Sequence, residues 1–140
     1  MAGMLPPMVL IVDGDEDEGE RLALSLEAAG YLTACVSSCE AARSVISARR
    51  PDVIISDVFL PGLCGLALLD LVQQRRLDIP VIALMSRRWA SGLDLAAGAS
   101  RLGAAAVLCT EDIGQEPVED VVAGVLERDS DDAPLTSHAA

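Results

Sequence analysis

The sequence predicts an α/β fold: a doubly wound, five-stranded parallel sheet with helices on both faces. Three observations predict it. Short, nearly continuous aliphatic runs recur along the chain, the pattern of strands buried on both faces. Amphipathic stretches of helical period separate those runs. The residues are 51% hydrophobic with one Phe, one Trp and one Tyr, so the core is aliphatic.

The runs are MVLIV (8–12), a weaker LTACV (32–36) after a Gly-Tyr turn, DVIIS (52–56), PVIALM (80–85) and AAAVLC (104–109). A first helix is expected over 18–29, where Leu22, Leu26 and Ala29 share a stripe and Gly30 closes the segment. The second, 38–48, carries Ala41, Ala42, Val45 and Ile46 behind Ser37 and Ser38 as caps. The third, 65–75, presents Leu66, Leu69 and Val72. The fourth, 91–102, is weaker, rich in Gly and Ala with Gly98 inside it. The fifth, 116–127, bears the clearest stripe, Val118, Val121, Val122, Val125 and Leu126, with Pro117 tolerable in its first turn. Right-handed crossovers then give a parallel sheet covered on both sides. The chain divides into an N-terminal extension (1–7), one domain (8–127) and a loose acidic tail (128–140), with no room for a second domain.

Ten Lys+Arg against 22 Asp+Glu give a formal net charge of −12 and a pI near 4.2. Nonspecific binding to a phosphate backbone needs a broad positive surface, so nucleic acid is excluded as a partner. The apolar fraction excludes disorder. No run approaches a membrane span. The apolar start lacks a basic n-region and reads as a strand, not a signal peptide, so a cytoplasmic location is expected. The starting Met reads as a natural N-terminus. Cys35, Cys39, Cys64 and Cys109 lie among aliphatic neighbours, with no second pair or nearby His to complete a metal knuckle. They read as buried thiols in a reducing compartment.

Ligands of an open α/β sheet gather outside the carboxyl ends of its strands. After the first run comes Asp13-Gly14-Asp15-Glu16-Asp17-Glu18-Gly19-Glu20, and Asp57 ends the third. Carboxylates at neighbouring strand ends repel unless a cation joins them. Such oxygens, with a backbone carbonyl, suit Mg²⁺, which binds beside phosphate. An Asp next to that metal is placed to act as nucleophile in phosphoryl transfer. Asp13 and Asp57 are assigned to this site. Glu16, Asp17 and Glu18 are read as a helix's acidic first turn, facing water and favoured by the dipole.

At this point the chain resembles the receiver domain of two-component response regulators, over residues 8 to about 127. The matching pieces are VLIVD (9–13), the Gly30-Tyr31 turn, PDVIISD (51–57) with Pro61 and Gly65 after it, IPVIAL (79–84) and Gly103-Ala104. The resemblance implies the flavodoxin-like strand order 2-1-3-4-5. It implies that Asp57 accepts a phosphoryl group from a histidine kinase or phosphotransfer protein. Asp13 matches the first of two acids that hold Mg²⁺, with Asp57 and the backbone carbonyl of Phe59 as further ligands. Pro61 and Gly65 match the turn that shapes the loop after the acceptor. The donor histidine belongs to the partner, which leaves His138, the chain's only histidine, without a part. The family is a signalling domain, not an independent enzyme, and its own chemistry is limited to self-phosphorylation and self-dephosphorylation. A downstream protein is expected on the surface of the fourth helix, fifth strand and fifth helix, and a homodimer is left open.

The departures from the family pattern fall on the site itself. Gly14 stands where the second metal acid is usual, and Asp15 or Glu16 would have to substitute. Met85 replaces the Thr or Ser that bonds the phosphoryl oxygen, and a thioether has no proton to donate. Ser86 follows it, turned to the opposite side in an extended segment. Thr110 replaces the usual lysine, Glu111 the proline after it, and Val107 an aromatic switch residue. Mg²⁺ is therefore expected to bind weakly or not at all. Arg87 and Arg88 are candidates to supply the missing charge, set against the reading that both are merely solvated. The interval from Met85 to Thr110 is a few residues longer than usual, and Trp89 within it is either a lid or an anchor for a partner.

Two readings follow: a phosphorylatable receiver with an altered switch, or a pseudo-receiver that signals by protein contact alone. A small phosphohydrolase lacks a cap domain, a general-base His and a phosphate loop. A nucleotide site lacks the glycine spacing.

Overall fold

The aliphatic runs form five strands: β1 (Met8–Val12), β2 (Leu32–Val36), β3 (Val53–Asp57), β4 (Val81–Met85) and β5 (Ala106–Cys109). They are seen in a computed structural model that describes residues 6–57, 78–85, 104–112 and 117–138. All pair in parallel, in the order β2-β1-β3-β4-β5. The sheet is doubly wound as the alternating runs predict, in the order that the resemblance implies. Every residue of β1 and β4 is buried, which is why those runs show no alternation. β2 stands at the edge, and its half-exposed pattern accounts for the weaker signal.

Three helices are described: α1 (Glu16–Ala28), α2 (Cys39–Ala48) and α3 (Val118–His138). Leu22 and Leu26 of α1 and Val118, Val122 and Val125 of α3 pack on Val9, Ile11, Val53, Ile55, Ile82, Leu84 and Leu108. On the other face, Ala42 and Ile46 of α2 pack on Leu10, Val12, Ile54 and Val81. Burying side chains of this kind stabilises by about 1.5–3 kcal/mol each, and alternate strand residues divide that gain between two cores. The Asp52 carboxylate fixes the start of β1 by accepting the Met8 N–H at 2.7 Å.

Local chemistry sets the helix ends. Ser38 Oγ accepts the Ala41 N–H at 3.2 Å and starts α2. Gly30 ends α1 with φ +100°, a left-handed turn that favours glycine. α1 begins at Glu16, earlier than the predicted 18, because Asp15 caps it. α3 runs to His138, so the segment predicted as a loose tail after 127 continues the helix. No Gly or Pro interrupts residues 125–133 to stop it. The predicted helices at 65–75 and 91–102 lie outside the described residues.

The reading of buried thiols needs a correction at three cysteines, while Cys64 lies outside the described residues. Cys35 is exposed and Cys39 and Cys109 are half-buried, all three as free thiols. Cys35 sits on the edge strand, where an aliphatic neighbourhood in sequence does not bring cover in space.

Candidate functional site

The β1–β3 ladder ends at the pair Val12↔Ser56, so Asp13 and Asp57 follow as neighbours at the carboxyl edge. Alternation sets their side. Val9 and Ile11 on one strand, and Val53 and Ile55 on the other, belong to the core beneath α1, and the two acids continue those rows.

Asp13 is only 1% exposed. Its N–H donates to the Val36 carbonyl at 3.0 Å, which ties the strand end to β2. Oδ1 accepts the Asp15 N–H at 2.9 Å. Oδ2 is buried and has no hydrogen-bond partner among the described residues. An orphaned carboxylate oxygen at a strand end is a costly arrangement that a cation or a proton relieves. Asp57, one strand away, is half-buried and lies in register with Leu84 of β4.

Asp15 is exposed, and its Oδ1 accepts the N–H groups of Asp17 at 3.0 Å and Glu18 at 3.2 Å. That oxygen caps α1. Gly14 forms an exposed bend and offers no acid. Glu16 and Asp17 face water, as expected.

Glu18 does not, and the assignment of it to the water-facing turn is corrected. It is half-buried, and its carboxyl is pushed up to about 8. Burial is the main cause, followed by a hydrogen bond to Asp13 and the charges of Asp13, Asp15 and Asp57. With both carboxyls ionised no hydrogen lies between them; a proton kept on Glu18 supplies one to Asp13. The signal was present in the sequence. Glu18, Leu22 and Leu26 recur at four-residue steps, so Glu18 begins the buried stripe. Gly19, next to it, admits a close approach: an added Cβ would stand 2.7 Å from Cys35 Sγ and 3.6 Å from Asp13 Cβ.

The switch positions are apolar or uncharged. Met85 ends β4 at 3% exposure and packs with Ala83, Ala104 and Val107. Thus two of the altered positions, Met85 and Val107, share one small apolar cluster. Thr110 follows Cys109, the register partner of Met85, and opens a short 3₁₀ turn, Thr110–Asp112. All ten basic residues are arginine, so no lysine elsewhere in the chain takes the place missing at Thr110. Phe59, Pro61, Gly65, Ser86, Arg87, Arg88 and Trp89 lie outside the described residues.

The donor chemistry meets Mg²⁺ only in part. Asp13, with its orphaned oxygen, and Asp57 are two oxygen donors at adjacent strand ends. No group of three or more His, Cys, Asp or Glu is gathered to hold an ion among the described residues. Nor is any helix among them long and apolar enough to cross a membrane.

Comparison with known proteins bears on the family and the fold. Residues 9–109 match the family model of the response regulator receiver domain. The phosphate regulon transcriptional regulatory protein PhoB of Pseudomonas aeruginosa is 36% identical over 86 residues, covering 60% of this chain and 38% of that protein. The DNA-binding transcriptional regulator NtrC of Salmonella typhimurium is 33% identical over 97 residues, 69% of this chain and 20% of that protein. The chain therefore spans well under half the length of these relatives. Among solved structures, a protein of Chloroflexus aurantiacus described as a response regulator superposes with a TM-score of 0.76 at 33% identity, covering 87% of this chain and 98% of its own. The receiver domain of NtrX from Brucella abortus gives 0.71 at 26% identity, covering 85% and 98%.

Proposed function

The chain belongs to the response regulator receiver domain family, and on that premise we propose that Asp57 accepts a phosphoryl group through an altered switch. Receiver domains are signalling domains whose own chemistry is limited to self-phosphorylation and self-dephosphorylation. The observation that carries the proposal is the pairing of Asp57 with buried Asp13 at the ends of neighbouring strands. The Asp57 carboxylate is the nucleophile, and the donor is a phosphohistidine on a histidine kinase or phosphotransfer protein. Asp13 and Asp57, with the Phe59 carbonyl, would hold Mg²⁺, which neutralises charge on the transferring oxygens when bound. Its hold is weak. Gly14 withholds the second acid, Asp15 is engaged as a helix cap, and Glu18 keeps a proton near neutral pH.

Downstream of Asp57 the usual relay is absent. Met85 offers no proton to a phosphoryl oxygen and is packed against Val107, so neither is set to move into an empty space. Thr110 brings no positive charge. Arg87 and Arg88, which follow Met85 closely in sequence, are the chain's candidates for that charge. A downstream protein is proposed on the surface of β5 and the last helix, with the fourth helix that the sequence predicts, reached in the cytoplasm. Its coupling to Asp57 is weak.

The same Met85–Val107 cluster favours a second reading, a pseudo-receiver that signals by protein contact without phosphorylation. Titration with beryllofluoride and Mg²⁺, followed by amide shifts, separates the two. The proposal expects shifts at Asp13, Glu18 and Asp57 with Cys109 and Thr110 nearly unmoved. No shift at Asp57, under conditions that load an ordinary receiver, replaces it with the second reading.

A further inference from the structure

β2 pairs on one side only, with β1, and stands at the end of the sheet. The Leu32 N–H donates to the Pro7 carbonyl and the Asp13 N–H to the Val36 carbonyl, both at 3.0 Å. In a parallel ladder alternate residues turn both main-chain groups to the same neighbour, so Leu32, Ala34 and Val36 face β1. The N–H and C=O groups of Thr33 and Cys35 face outward, and no main-chain group among the described residues bonds them. Edges of this kind are ordinarily blunted by Lys, Pro, a bulge or an inward charge. β2, Leu-Thr-Ala-Cys-Val, carries none of these, and its register with β1 runs through five pairs without a bulge.

The flanks of that edge add side-chain chemistry. Leu24 of α1, 58% exposed, and Leu32 of β2, 36% exposed, are the large aliphatic side chains left in water among the described residues. Leu24 lines a groove of about 540 Å³ with Thr33 and Cys35. Leu32 continues the row of Ala34 and Val36 on the α2 side. A strand laid along the edge therefore meets one exposed leucine on each face of the sheet. Glu20 and Glu27 lie one turn before and one turn after Leu24 on the same stripe of α1, about 10 Å apart. The Glu27 carboxylate accepts the Thr33 hydroxyl at 2.7 Å, which sets this stripe against the edge strand. No arginine lines the groove.

Residues i, i+2 and i+4 of a strand span about 13 Å on one face. A basic, an aliphatic and a basic side chain at those positions match Glu20, Leu24 and Glu27, because Lys and Arg are long enough to close the difference. A second copy of the chain, net charge −12, is a poor occupant. Antiparallel pairing of two β2 edges about a two-fold keeps each sheet face on its own side, so α1 meets α1 and glutamates meet glutamates. The acids that repel a copy select a basic strand. We propose that the free edge of β2 takes an added strand from a partner protein, an extended segment whose alternate basic residues meet Glu20 and Glu27 and whose aliphatic residue between them packs on Leu24.

The probe is a capped peptide with the centre Arg-Val-Leu-Thr-Arg, titrated into the full chain at constant ionic strength. Mg²⁺ and phosphodonor are left out, so the result is read independently of Asp57. Amide hydrogen exchange at Thr33 and Cys35 should slow by at least about ten-fold at saturation, while Ala34 and Val36, already bonded to β1, change little. Glu20→Gln with Glu27→Gln should weaken binding on the order of ten-fold, with the fold checked by circular dichroism. A peptide of the same composition with its two arginines adjacent loses the alternation and should bind more weakly. Amide shifts spread over the acidic faces without protection at Thr33 and Cys35, or equal affinity in the double variant, would overturn the proposal. So would protection of those two amides that grows with chain concentration in the absence of peptide, which would give the edge to a second copy.

Discussion

Glu18 shows how one residue reports the state of the site. Its carboxyl is raised from 4.5 to about 8, so between those values the folded chain holds a proton that the unfolded chain has released. Stability contributed by that proton is full below about pH 4.5 and is lost as pH rises through 8. Glu18→Gln keeps a hydrogen-bond donor for Asp13 without titrating. In metal-free buffer it should be more stable than the parent at pH 8, by on the order of 1–2 kcal/mol once partial exposure is allowed for, and little different at pH 4. Denaturant midpoints at the two pH values measure this, and a difference independent of pH would contradict it. Gly19 makes a second residue-scale prediction. Gly19→Ala gains about 1 kcal/mol of helix propensity but drives a Cβ against Cys35 Sγ, a crowding that costs about 1–3 kcal/mol. The change should destabilise the parent and stabilise a Cys35→Ala background. The same shift in Tm in both backgrounds would show that the contact is not made.

At the scale of elements, α1 is where sequence and structure differ most usefully. The central strands were legible because β1 and β4 are buried on both faces, and short aliphatic runs rich in Val and Ile between helical stretches suit such strands. The capping role of Ser38 and the turn at Gly30 were legible for the same local reason: one residue type suits the job. The strand-end positions of Asp13 and Asp57 were legible from the aliphatic runs that precede them. Glu18 was missed because a run of six acids in eight residues reads as a solvated helix start, and composition hid its place on the Leu22–Leu26 stripe. Asp15 was weighed as a metal acid, while the helix employs it as a cap. These roles separate by substitution. Asp15→Ala should cost about 1 kcal/mol of stability through the lost cap. Asp15→Asn keeps the acceptor and should cost little, and both should lower the Glu18 titration by removing a nearby charge. A large loss in Asp15→Asn would mean that the charge, not the cap, is what the fold needs.

Across the whole molecule 22 acids outnumber ten arginines, and Asp13, Asp57 and Glu18 interact at one strand edge without a lysine in the chain. Self-repulsion of this kind is screened over about 10 Å at 0.1 M salt. Tm should therefore rise between low and physiological ionic strength, and Asp57→Asn should shrink that rise, being no less stable than the parent in metal-free buffer. A Tm independent of salt would place the net charge outside the stability of the fold.

The fold places Asp57 beside the buried acid Asp13, and the sequence leaves the usual lysine out, so the central claim is that Asp57 still takes a phosphoryl group. Intact mass after incubation with a small-molecule phosphodonor and Mg²⁺ tests it most directly. The account predicts the mass of one added phosphoryl group on the parent chain, slowly gained and absent in Asp57→Asn. A parent chain that stays unmodified where an ordinary receiver is labelled, or an Asp57→Asn variant that is labelled equally, would contradict it.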